Sequence, residues 1–169
     1  MDIGIGDAVI PEPGWIDYPS VIGFPPARLR AYRPETTIAE KVHALVVLGS
    51  KNSRMRDFYD LDVLARSMSF DRRSLATALQ ATFDRRGTPV PSNLPHGLTQ
   101  EFAASPEKRA QWRGFLKRNR LRAREELEQV VERLVRFLEP VFAAAVRNTQ
   151  PTVTWTAGGA WKAQEGTRG

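Results

Sequence analysis

A mainly α-helical bundle with a short β element at its N-terminus is the fold this sequence predicts. Three observations predict it. Apolar residues recur at helical spacing from residue 34 to residue 147. Prolines and glycines fall mostly between those stretches rather than inside them, with Gly114 and Pro140 as exceptions. Alternating apolar positions occur only at the start, where Ile3, Ile5 and Val9-Ile10 are separated by glycines.

Residues 1–10 read as a strand, which needs a partner strand to satisfy its backbone groups. Residues 11–34 hold Pro11, Pro13, Pro19, Pro25, Pro26 and Pro34 and read as an irregular connector, with a short strand at 28–32. Pro34 opens the first helix in a first-turn position that needs no N–H. Ile38, Val42, Ala44, Leu45 and Leu48 form its apolar face, and Gly49 stops it. After the turn SKNS, a second helix is expected over 54–68 on Met55, Phe58, Leu61, Leu64, Ala65 and Met68. Asp71 is placed to cap a third helix, with Phe70 and Leu75 as a hydrophobic staple and Gly87 as its end.

Residues 88–98 are a loop, followed by short helices at 99–104 and 106–119. The last helix, about 123–147, carries Leu127, Val131, Leu134, Leu138, Val141 and Phe142 on one face, with Pro140 expected to kink or break it. In the tail, two tryptophans flank a Gly-Gly turn and are expected to pack on the bundle, before a disordered end. The divisions are therefore 1–33, 34–147 and 148–169.

Composition narrows the function. There is no cysteine, so neither a disulfide framework nor a thiolate metal site exists. No apolar run approaches a membrane span, and the N-terminus lacks the basic region of a signal peptide, so a cytoplasmic location is expected. Lys and Arg outnumber Asp and Glu by 25 to 19, a balance that suits either a polyanionic partner or a solvated basic surface.

The stretch GSKNSRMRDFYDLD (49–62) sets a Gly-Ser pair before Asp60-x-Asp62, the spacing with which nucleotidyltransferases hold metal ions. That chemistry needs both carboxylates on one side of a strand. On a helix, residues two apart diverge by roughly 200° and cannot share a metal pair. The apolar period around them is helical, so the match is a coincidence. A helix instead puts Asp57 and Asp60 on one face, with Arg54 one turn earlier. Lys41 on the preceding helix can meet them, either as a structural ion pair or as an ammonium presented to a triphosphate.

A second candidate is the basic window 108–124, with Lys108, Arg109, Arg113, Lys117, Arg118, Arg120, Arg122 and Arg124 around Trp112 and Phe115. The charges can grip RNA phosphates or simply be solvated, and the aromatics read as core. GIGDAV lacks the third glycine of a dinucleotide loop, and His43 and His96 are too isolated to make a metal site.

The run YRPETTIAEKVHALVVLGSKNSRMRDFYDLDVLAR (32–66) resembles the C-terminal half of the AbiEii/AbiGii nucleotidyltransferase toxin family. The opening MDIGIGDAVIPEP, the segment KRAQWRGFLKRN and the ending with Trp155, Gly158, Gly159 and Trp161 are similar as well. The resemblance implies a remnant of an α+β nucleotidyltransferase fold. It implies metal-dependent transfer of a nucleotide from a nucleoside triphosphate to RNA, a tRNA end above all, in a toxin–antitoxin or phage-defence (abortive infection) pair. By the same resemblance Lys41 and Arg54 contact the nucleotide. Asp57, with Asp60 beside it, orients Lys41 or helps to activate the attacking hydroxyl. Arg113, Lys117, Arg118 and Arg120 face RNA, and Asp2 is a metal ligand. Mg2+, a nucleoside triphosphate, tRNA and a cognate antitoxin are the implied cofactors and partners. The family's Gly-Ser and Asp-x-Asp motifs precede the counterpart of Asp2, where this chain has only Met1. The expectation is thus a truncated or split protein, without productive metal and nucleotide binding and inactive alone. The alternative is a non-catalytic helical module that binds RNA or an antitoxin.

Overall fold

The computed structural model describes residues 14–18, 27–31, 33–121, 125–147 and 153–163. The architecture is mainly α with small β elements, as the periodicity predicts. Strand β1 (Gly14–Tyr18) pairs antiparallel with β2 (Ala27–Ala31), Ile16 opposite Leu29. The segment 11–34 is therefore not an irregular connector throughout. Its prolines flank the run GWIDY instead of interrupting it, and Trp, Ile and Tyr favour extended backbone. The expected strand at 1–10 and the expected disorder of the last residues lie outside the described residues.

Helix α1 (Pro34–Leu48) begins where Pro34 needs no donor, and the Arg33 carbonyl accepts from Thr36 and Thr37. Gly49, at φ 50°, ends it in a conformation that costs other residues strain. A 3-10 turn over Gly49–Lys51 leads to α2 (Met55–Ser67). Strand β3 (Phe70–Asp71) runs directly into α3 (Arg72–Arg85), capped by Asp71 Oδ1, which accepts from Ser74 N at 2.8 Å. Both staple residues, Phe70 and Leu75, are buried in the core. Helices α4 (Gln100–Ala104) and α5 (Pro106–Arg118) are capped by the hydroxyls of Thr99 and Ser105.

Helix α6 (Leu127–Arg147) starts later than the apolar pattern predicts. Glu126 stands at its cap: its N–H donates to Gln129 Oε1 and its carbonyl accepts from Gln129 N. The Glu125 carbonyl, just before, accepts from the Trp112 indole at 3.0 Å. Pro140 does not break the helix.

The core joins Ile38, Val42 and Leu45 of α1, Phe58, Leu61 and Ala65 of α2, Leu75, Leu79 and Phe83 of α3, and Leu127, Val131, Leu134, Leu138 and Val141 of α6. Helix α1 packs on α3, and α6 on α2, α3 and α4. Ala44, Leu48 and Met68 do not join it; Leu48 and Met68 are exposed at the helix ends, where no neighbour among the described residues covers the predicted face. The tail is a hairpin, β4 (Val153–Thr156) with β5 (Ala160–Ala163), and β4 also pairs with β3. Gly158 turns it at φ 85°. Trp155 is fully buried and its indole donates to the Ala65 carbonyl at 2.7 Å. Trp161 stacks on Phe137 and donates to the Phe137 carbonyl. The tail aromatics thus pack on the bundle as expected. Among the described residues no helix is long and apolar enough to cross a membrane.

Candidate functional site

The turn between α1 and α2 brings Lys41 against the first turns of α2. Its Nζ donates to Asp57 Oδ1 at 2.9 Å and to Asp60 Oδ2 at 2.8 Å. The two carboxylates stand three residues apart on one helix face, so one ammonium reaches both. Arg54 Nε lies 2.8 Å from Asp57 Oδ2, a close ion pair without an aligned hydrogen bond. Arg56 Nε lies 3.7 Å from Asp60 Oδ2.

Burial is graded across this cluster. The Asp57 side chain is 5% exposed, Lys41 19%, Asp60 31% and Arg54 57%. The cluster thus has a closed floor at Asp57 and opens to solvent through Asp60 and Arg54. Burial pulls the Lys41 ammonium down, but the hydrogen bonds and charges of Asp60 and Asp57 outweigh it and hold its pKa above 10.5. Lys41 is therefore a fixed cation at neutral pH. Among the described residues, Lys41, Arg54 and Arg56 pair with Asp57 and Asp60 alone, three cations on two carboxylates at the open side. Such a site attracts an anion.

Asp62 points elsewhere. It is buried, accepts from Arg133 Nε at 2.6 Å and pairs with Arg66 Nη2 at 2.8 Å. Asp60 and Asp62 therefore belong to different ion-pair networks, as their helical placement requires. Arg133, further joined to Glu125, locks α2 to α6.

Two side chains that support the site carry no obvious signal in the sequence. Asn52 is buried in the turn, and its Oδ1 accepts from Arg54 N at 2.9 Å. The motif SKNS marks a turn, and an asparagine two residues before Arg54 fits such a local cap. The Asn52 carbonyl accepts from Lys108 Nζ at 3.0 Å, a contact across 56 residues that no local pattern announces.

The basic window divides. Lys108 is buried, and Trp112 and Phe115 are core residues. Arg109 pairs with Glu128, and Arg113 with Glu126 at 3.2 Å. Lys117, Arg118 and Arg120 are exposed at the end of α5, and no acid among the described residues pairs with them. Arg122, Arg124 and Asp2 lie outside the described residues. His43 is a packing histidine: it is buried, meets the Phe83 ring edge-on and pairs with Thr88 Oγ1 at 3.1 Å. His96 is exposed against Phe102. Among the described residues, no group of three His, Cys, Asp or Glu could hold a metal ion. Asp57 and Asp60, both already bound to Lys41, do not fit one.

Comparison with protein families matches residues 1–156 to a family described as nucleotidyl transferase AbiEii toxin, type IV TA system. Neither the curated proteins nor the solved structures yield a match.

Proposed function

The chain belongs to the AbiEii nucleotidyltransferase toxin family of type IV toxin–antitoxin systems, and on that premise we propose that Lys41 receives the phosphates of a nucleoside triphosphate whose nucleotide passes to RNA, a tRNA end above all. The family implies nucleoside triphosphate and metal use in general, and an antitoxin partner. The observation that carries the proposal is the Lys41 ammonium held by Asp57 and Asp60 at 2.9 and 2.8 Å, open on the side of Arg54.

In the transfer, an RNA hydroxyl oxygen bonds to the α-phosphorus and the bond from that phosphorus to its bridging oxygen breaks. Pyrophosphate leaves, and the hydroxyl proton passes to solvent. Catalysis of this kind rests on positioning and charge stabilisation. Lys41 and Arg54 supply positive charge to the phosphates. Asp57 suits the orientation of Lys41 better than proton abstraction, because it is buried and both its oxygens face cations. Asp60 is the more accessible carboxylate and releases Lys41 partially when phosphate arrives. Lys117, Arg118 and Arg120 take RNA phosphates at the end of α5.

A second reading has one observation in its favour. A carboxylate as buried as Asp57, with two cationic partners, also suits a purely structural ion pair in a module that binds RNA or the antitoxin. Calorimetry separates the two. Each of the four Mg–nucleoside triphosphates is titrated into the wild-type chain and into Lys41→Ala. At least one is expected to bind the wild type and to lose binding in the variant. Equal heats in both proteins would overturn the proposal and leave the binding-module reading.

A further inference from the structure

We propose that Lys108 is a positioning residue for the nucleotide site, acting through Asn52 on Arg54 and Asp57; this rests on the function proposed above. The chain of contacts is continuous. Lys108 Nζ donates to the Asn52 carbonyl at 3.0 Å, Asn52 Oδ1 accepts from Arg54 N at 2.9 Å, and Arg54 Nε sits 2.8 Å from Asp57 Oδ2. Asp57 Oδ1 then accepts from Lys41 at 2.9 Å.

The environment of Lys108 argues against a role in stability alone. Its side chain is 6% exposed, yet its one short hydrogen bond among the described residues goes to a neutral carbonyl, and its bond to the Glu107 carboxylate is long, at 3.5 Å. Glu107 is 3.5 Å away and 71% exposed, and the Phe102 ring face is 5.2 Å away. Burying an ammonium on such partners costs free energy that a methionine of similar volume would not. Asn52 has a second cost: its buried Nδ2 finds no partner among the described residues. Two costly polar groups therefore meet in the turn that presents Arg54 and Asp57. What they secure is the position of that turn. Without the cation, the Asn52 carbonyl loses its anchor on α5 and the Arg54 backbone is free to shift. Such a shift moves Asp57, and with it the orientation of Lys41.

The test uses the full chain with Lys108→Met, Asn52→Ala and Lys41→Ala. Carbon-13 chemical shifts of the Asp57 and Asp60 carboxyls are read without nucleotide, and affinity for the four Mg–nucleoside triphosphates is read by calorimetry. Lys108→Met is expected to change the melting temperature little, relief of the buried ammonium offsetting the unpaired Asn52 carbonyl, and yet to move both carboxyl resonances. It is expected to weaken nucleotide binding about fivefold, the effect of one hydrogen bond. Asn52→Ala is expected to move the same resonances, and it decides alone if Lys108→Met does not fold. Unchanged carboxyl shifts in the folded variants would overturn the inference. Moved shifts with nucleotide binding indifferent to Lys41→Ala would leave the latch standing and remove the nucleotide reading.

Discussion

At the scale of single residues, burial decides which member of an ion pair carries stability. Asp57 and Asp60 both hold Lys41, but one side chain is 5% exposed and the other 31%. Asp57→Ala strands Lys41 and Arg54 beside a buried gap and is expected to cost about 3 kcal/mol. Asp60→Ala leaves water to solvate what it exposes and is expected to cost under about 1 kcal/mol. Urea midpoints measured at constant slope check the difference, and equal losses would contradict the burial gradient. His43 supplies the pH dependence. Burial, and then the positive charge of Arg86, lower its pKa below 6.5. Its unfolded form therefore takes up a proton before its folded form does, so stability is lost as pH falls from 6.5 toward the folded value. His43→Gln is expected to flatten the urea midpoint over that window. A slope that persists in the variant would assign the loss to other groups. Lys41 and Asp57 were legible because helical spacing places both on facing surfaces. Lys108 was not, since a basic residue among many reads as solvated until the core is seen to close over it.

At the scale of elements, amphipathic periodicity located the long α-helices of the described residues, because each carries a stripe of core residues such as Leu75, Leu79 and Phe83 that no other conformation keeps together. Strand β2 (Ala27–Ala31) was expected at 28–32, but β1, β3, β4 and β5 escaped. Phe70–Asp71 is too short for a period, and β4 and β5 carry only Trp155 and Trp161 as inward anchors. Pairing partners far apart in sequence made them: Phe70 lies opposite Trp155. The hairpin is tied to α2 and α6 through two indole donors, to the Ala65 and Phe137 carbonyls. Trp155→Phe keeps a ring against Phe137 but removes the shorter of two hydrogen bonds to the Ala65 carbonyl, Gly158 N at 3.3 Å remaining. It is expected to cost about 0.5–1.5 kcal/mol, and Trp155→Ala, which also empties the aromatic site, about 3–5 kcal/mol. Denaturation midpoints of the two variants give the ordering. A Trp155→Phe protein as stable as the wild type would show that the indole hydrogen bond contributes nothing net.

At the scale of the whole molecule, the excess of basic side chains matters only where it is left unpaired. The formal charge of +6 is spread over a surface on which Glu40 pairs with both Arg85 and Arg86, Glu126 with Arg113 and Glu128 with Arg109. The end of α5 is different. Arg120 holds φ 52°, a conformation that favours glycine, and its N–H donates to the Lys117 carbonyl at 3.2 Å. An arginine retained there at a backbone cost of about 1 kcal/mol makes sense if its charge is used, beside Lys117 and Arg118. Arg120→Gly is therefore expected to act in opposite directions on fold and function. It raises stability by up to about 1 kcal/mol, and it weakens RNA binding. For single-stranded RNA, the slope of log affinity against log salt is expected to fall by about 0.7 for the one phosphate contact removed. Melting curves read the first effect and filter binding at several salt concentrations reads the second. Arg109→Ala is the matched control, because Glu128 already pairs with that charge and the slope is expected to stay near the wild-type value. A variant that gains stability without any change in slope would place the RNA path elsewhere on the molecule and leave the strain at Arg120 without a use.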